Sequence, residues 1–522
     1  MSTTEVVRNW GTITSIATLG TNRGAPALEK LWLARELAAP PGPPERTLLR
    51  AAAVNYLWQL SGVRTAPAEL PAVNVAPTSD APVVKESALW RLARMLTGNH
   101  RELVSEWLSL VAQRGAVLPP HWLPVVLNGL QPRERQAARS VLGPRAEWLA
   151  KRNPEWAEMS AAVGLPIESW NHGTLPERRG ALATMRASDP TGGRIWLERT
   201  WKTESPDARI AFLETLLDAP GLSEADEPFL EDVLNDKRKD VRAAAVECLC
   251  RLPNSRHARR NIERLQPLVM LTEAGSGLLS KFKKRRLEIT LPESLDKVAA
   301  RDGVNAKPPT QQKIGERAYW LMQMIGMAHP AHWSERFECD PDTFITAALA
   351  TDYAKDLLVA LSDSAIRYRD PTWIAALSTR FLVWHGHPEQ QWIAAQRIPA
   401  LVAAAPSHAR DAILRQLLAA GQAAQLDILQ GSLVATPMEW SAETTRLAFA
   451  LLEQATGFVA PEYTGARGTL VRWGSQVDVA TARPALARIL ERTDDKSPWR
   501  KALEALQEII EFRLAMKQEL AT

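Results

Sequence analysis

SEADEPFLEDVLNDKRKDVRAAAVECLCRLP, residues 223–253, decides how this chain folds. Phe229, Leu230, Val233 and Leu234 share one face of a first helix, entered through the capping pattern Ser223-x-x-Asp226. Asp226, Glu227, Glu231 and Asp232 sit towards its start or on its far face, where the helix dipole and water favour them. Asn235 and Asp236 stop that helix, residues 237–240 turn the chain, and Asp240 is the expected N-cap of the next. There Val241, Ala245, Cys248, Leu249 and Leu252 form an apolar stripe at i, i+4, i+7, i+8 and i+11. Ala243, Ala244 and Ala245 let a neighbouring helix approach closely. Arg242 is expected to bridge to a turn aspartate, represented here by Asp236. Two short amphipathic helices across a charged turn make a HEAT-type unit, with Phe229, Val233, Asp236, Val241, Arg242, Ala245 and Leu249 as its structural residues. Such a unit cannot bury its apolar face alone, so it stacks on similar neighbours.

Helical periodicity extends outward on both sides of this unit, in runs of about 10 to 14 residues separated by turns of about 4 to 8. The expected fold class is all-α, a HEAT-like helical repeat or α-solenoid, with a short irregular or β-containing insertion near residues 280–310. The expected organisation is an N-terminal helical segment over 1–64 and a Pro-rich loop or linker over 65–84. HEAT-like repeats over 85–270, a basic insertion and linker over 271–312 and C-terminal helical repeats over 313–522 follow. Within the insertion, Leu287 to Leu291 reads as a strand and Asp302 to Thr310 as a linker.

Composition bounds the function classes. Apolar content of 46% and charged content of 23% are those of an ordinary soluble globular protein. A net charge of only +4 gives no global attraction to nucleic acid or membrane. Three cysteines give neither a disulfide framework nor zinc spacing, which fits a reducing, cytoplasmic setting. The N-terminal stretch has no long apolar segment of signal-peptide type, and no apolar run reaches the roughly 18 residues a membrane helix needs. Most of the 19 tryptophans lie among Leu, Ala and Arg at helical spacing and read as buried anchors between helices.

Catalytic and cofactor motifs are absent: no phosphate-cradling loop, no dinucleotide fingerprint, no His-Glu-x-x-His and no nucleophile elbow. No catalytic residue, cofactor or metal is expected. His385-Gly-His387, with His329 and His332, falls short of a convergent zinc ligand set. Cys248 lies on the core stripe as a small hydrophobe. The candidate interaction patch is basic: Lys281, Lys283, Lys284, Arg285 and Arg286, with Arg256, Arg259 and Arg260 upstream. A solvated loop is its plain reading; contact with phosphates or with an acidic protein is the sharper one.

The chain also resembles a bacterial family of unknown function, the domain family catalogued under number 5691. The matching strings are ATLGTNR (17–23), LPPHWLP (118–124), GPRAEWL (143–149) with NPEW (153–156), and DEPFLE (226–231). They continue from Asp236 through Val241-Arg242 to Leu252-Pro253, then with Asp302-Gly303-Val304 and with KIGE (313–316). Their order along the chain carries the resemblance; Asn22 stands where Asp is expected. The resemblance implies a neighbourhood of a MoxR-type AAA+ ATPase, a von Willebrand A-domain protein and a SWIM zinc-finger protein. The expected function is therefore a non-catalytic scaffold or adaptor for protein partners in a bacterial AAA+ ATPase-centred system. The alternatives are a nucleic-acid-binding helical array using Lys281–Arg286, and an enzyme with a site that no motif displays.

Overall fold

Residues 223–253 fold as the expected helix pair, Glu227–Val233 and Lys239–Cys250, in a computed structural model. The structure describes residues 3–30, 43–61, 75–156, 159, 166–218, 221–274, 284–385, 390–421, 429, 431–433, 439–458 and 466–521. The apolar stripe is fully buried: Val241, Ala245, Cys248 and Leu249 have no exposed surface, and Phe229 and Val233 are buried beside them.

The charged residues of the unit depart from expectation. Asp226 is not solvated; it is 1% exposed and receives both Nη atoms of the fully buried Arg186 at 2.8 Å. Glu231 is likewise buried, against Arg260 and Arg301. Arg242 does not pair with the Asp236 carboxylate but donates to the main-chain carbonyl of Asp236 at 2.7 Å. That carboxylate is taken by Arg209, from the preceding unit, at 2.7 Å. Asp240 is no N-cap: the helix starts at Lys239, after an extended Arg238, leaving Asp240 exposed in the first turn. A long arginine reaches across a turn where a short aspartate cannot, so the ion pairs run between units rather than within one.

The chain forms two compact units, Met1–Ala76 and Pro77–Thr522. Their boundary falls within the Pro-rich segment 65–84, and the segments 85–270, 271–312 and 313–522 belong to one unit. In the first unit, helices Thr3–Leu19, Thr21–Lys30 and Pro44–Ser61 pack on one another around Ile13, Ile16, Leu28, Leu48 and Ala51. Gly20, at φ +90°, makes the turn between the first two, a conformation that favours glycine.

In the second unit, helices pack repeatedly on the next but one. Leu175–Ser188 touches Pro206–Asp218, which touches Lys239–Cys250. The same pattern runs through Pro371–His385, Ser407–Ala420, Ala442–Phe458 and Val479–Arg492. This is the two-layer order of stacked helical repeats. The insertion holds an antiparallel pair, Val269–Ala274 with Lys284–Ile289, in the register Val269↔Ile289 and Leu271↔Leu287. The strand thus lies at 284–289 rather than at 287–291, and its partner was not foreseen. Residues 302–310 are no free linker, since Asp302 and Val304 are buried behind a short helix, Lys297–Arg301.

The array does not end openly. Its last helix, Arg500–Ala521, packs on the first two, Glu86–Leu96 and Val104–Gln113. Arg513, with no exposed surface, donates to both oxygens of Glu106 at 2.6 and 2.8 Å. It also donates to the carbonyls of Gly474 and Val477, at 3.0 and 2.6 Å. Arg91 pairs with Glu519 nearby, and its guanidinium lies 4.7 Å from the Phe512 ring centre.

Urea unfolding of point variants will rank these contacts. Val241→Asp buries an unpaired charge, and Arg513→Ala frees two carbonyls, leaves Glu106 to Lys517 alone and opens a cavity, so each should cost about 3–5 kcal/mol. Arg242→Ala, which frees main-chain carbonyls only, should cost about 1–2 kcal/mol, and the exposed Lys239→Ala less than about 0.5 kcal/mol. A Val241→Asp midpoint equal to wild type would mean the segment is not a packed repeat.

Candidate binding site

Helices Lys239–Cys250, Glu316–Met327, Ala354–Tyr368 and Gln391–Ala404, with residues 300–306 and 311–314, enclose a cavity of about 890 Å³. One wall is the supposed linker, held by charge. The Asp302 carboxylate accepts from Arg260 at 2.9 and 2.7 Å and from Arg264 at 2.7 Å. Arg260 also reaches Glu231 at 2.9 Å, and Arg301 reaches it at 3.3 Å. The buried His257 donates from Nε2 to the Asp302 carbonyl at 2.8 Å. Gly303 then turns at φ +105°, and a Cβ there would stand 3.0 Å from Val246. Asn305 follows, its main-chain and side-chain nitrogens donating to Gln323 at 2.8 and 3.0 Å.

The facing walls are tied by two further arginines. Arg367 donates to both oxygens of Glu247 at 2.9 and 2.8 Å and to the Gly326 carbonyl. Arg397 pairs with Asp363 and reaches the Ser362 hydroxyl at 3.1 Å. Burial opposes the charge of Glu247 and of Asp302. Hydrogen bonds from Arg367 to the first, and from Arg260 and Arg264 to the second, outweigh it and hold both below their ordinary values. Asp356 lacks such a guanidinium; burial raises its pKa, against the pull of Lys355. Trp392 stands 58% exposed on the lining, with the Lys355 ammonium 5.7 Å from its ring centre.

Arg242 lines this cavity, but none of the described residues of the basic patch does. Arg260 is a staple of its wall. Arg256 holds Glu227 through its main-chain nitrogen at 2.6 Å and its Nε at 3.0 Å. Arg285 caps the end of helix Ala331–Phe337, donating to the Phe337 carbonyl at 3.0 Å. Arg286, on the opposite face of the same strand, is exposed, as is Arg259. Lys284 pairs through its main chain with Ala274; Lys281 and Lys283 lie outside the described residues. A strand alternates faces, so consecutive cations there cannot form one surface. Of the histidines, His329 accepts from the Ala331 main chain at 3.2 Å and His332 is half-buried. The side chain of His385, and His387 altogether, lie outside the described residues. No group of three or more His, Cys, Asp or Glu among the described residues could hold a metal.

Sequence reasoning missed Lys313, Lys355, Glu247, Arg367, Arg397 and Trp392. One signal was present. Trp392 falls off the stripe of its own helix, whose buried positions are Ile393, Ala394, Ile398, Leu401 and Val402; a tryptophan off the core stripe faces something else.

A two-layer helical array, closed end to end and carrying a polar cavity walled by ion pairs, is the class of protein this structure defines. The model of a family of unknown function, DUF5691, matches residues 12–520, and the chain belongs to that family. No curated protein and no solved structure matches it. No helix among the described residues is long and apolar enough to cross a membrane.

Stability should fall with acid in two stages. Burial, partly offset by neighbouring carboxylates or carbonyls, keeps His257, His329 and His332 below the ordinary imidazole value of 6.5. Below that value the unfolded chain takes up protons that the folded state refuses, so stability drops as pH falls. Asp302 and Glu247, depressed below 3.8 and 4.5, give stability that is full above those values and lost as pH falls through their folded pKa. Urea midpoints should therefore decline from about pH 6.5 and more steeply below about pH 4.5, with His257→Gln flattening the first limb. A level midpoint between about pH 7 and 5 would contradict the histidine contribution.

Proposed function

We propose that this protein is a non-catalytic, cytoplasmic scaffold that binds a segment of a protein partner in the cavity between helices 239–250, 316–327, 354–368 and 391–404. The supporting observation is how the cavity's charges are used. Arg301, Arg367 and Arg397 are spent on Glu231, Glu247 and Asp363, which fixes the walls. The remaining lining offers lysines and an exposed tryptophan, groups suited to holding a chain. Nearby thiols are buried: Cys250 is pushed up to about 12 and Cys248 is raised too, which makes them poor nucleophiles. A closed, ion-paired array also gives a rigid frame, and preorganisation lowers the cost of binding. The family resemblance supplies the partners to test, a MoxR-type AAA+ ATPase first, then a von Willebrand A-domain protein and a SWIM zinc-finger protein.

Affinity capture of the tagged full chain against each purified candidate, with and without nucleotide, is the test. Capture of at least one is expected, and Trp392→Ala should weaken it by about tenfold, the loss of one anchor aromatic. If none is captured under any nucleotide condition, the adaptor role fails.

A further inference from the structure

The lining of the cavity is unbalanced in charge once its internal ion pairs are removed. Lys239, Lys313 and Lys355 line it without a hydrogen bond or ion pair to a carboxylate among the described residues. Among the described residues Arg242 donates to the carbonyls of Asp236 and Lys237 and forms no ion pair with a carboxylate. Against these four stand two carboxylates that no lining guanidinium binds, the exposed Asp240 and the half-buried Asp356. The cations come from three separate stretches of the lining, at 239–242, at 313 and at 355, and not from one helix. Trp392, beside Lys355, adds an aromatic surface in contact with water.

We infer that the cavity takes an acidic peptide segment of a partner protein, its carboxylates set against Lys239, Arg242, Lys313 and Lys355 and its backbone or an apolar side chain laid on Trp392. This rests on the scaffold reading and names the chemistry of its partner. An extended peptide suits the space better than a compact ligand. The lining is more polar than a small-molecule pocket, which is mostly apolar, and its cations stand on several wall elements. Complementary charge of this kind steers association and selects the partner.

A fluorescein-labelled oligoglutamate peptide is the probe, titrated by anisotropy against the full chain at low and at high salt. Binding at low salt that weakens as salt rises is expected, together with a change in tryptophan emission that Trp392→Phe removes. The triple variant Lys239→Glu, Lys313→Glu, Lys355→Glu alters exposed side chains only and should weaken binding by about tenfold or more. Lys501→Glu, exposed elsewhere, should leave it unchanged. Circular dichroism checks that the triple variant is folded. Equal affinity of the folded triple variant and wild type would overturn the inference, as would an oligonucleotide binding where oligoglutamate does not. Partner capture separates the two levels. Capture that survives in the triple variant, without oligoglutamate binding, removes the acidic-peptide chemistry and leaves the scaffold; loss of all capture in wild type removes the scaffold itself.

Discussion

Arg513 carries a charge with no exposed surface of its own, and the second unit depends on what meets it there. Five acceptor atoms do: both oxygens of Glu106, the carbonyls of Gly474 and Val477, and, at 3.4 Å, one oxygen of Glu439. An open stack of helical repeats has two ends whose apolar faces need polar caps. Here the last helix covers the first two, so each end serves as the other's cap. The buried guanidinium fixes the register of that closure, because a shift of one turn would leave it and two carbonyls without their partners, at a cost of several kcal/mol, on the order of 3–5.

The same device recurs along the array at smaller scale. Arg186 with Asp226, Arg209 with Asp236, Arg260 with Asp302, Arg367 with Glu247 and Arg397 with Asp363 each join residues far apart in sequence. Apolar stripes drive stacking without direction or register. Three of these pairs, made by Arg186, Arg260 and Arg367, are bidentate, and a bidentate pair adds both, since its planar fork accepts a carboxylate in few geometries. Stacking therefore supplies the stability of the array, and the arginines select one arrangement of it. Where such pairs face the cavity they also set its width, and Lys239, Lys313 and Lys355 on its lining stand outside them.

The repeat, its helical class and its core were legible because they are local. A stripe at helical spacing buries itself wherever a neighbour is found, and Val241, Ala245, Cys248 and Leu249 did so. The charged residues were legible only as types. Asp226 and Glu231 carried the pattern of a solvated face and became buried counter-ions because arginines from other elements reach them. Asp302 sat in a polar, Gly-containing stretch that read as a linker, yet three arginines hold it. The basic run at 281–286 drew attention by density alone, and Arg285 and Arg286 turn to opposite faces of the strand.

By itself the sequence determined an all-α repeat array, its family, the buried stripe of residues 241–252 and a chain without an obvious catalytic motif. These follow from periodicity, capping and composition, which act over a few residues. Tertiary structure alone decided the closure through Arg513, the wall at Asp302 and the cavity with Trp392, Lys239, Lys313 and Lys355 on its lining. Each of these pairs groups tens to hundreds of positions apart, as Arg513 with Glu106 and Arg367 with Glu247 do. Long-range partners are chosen by how helices stack, and no local pattern encodes that choice.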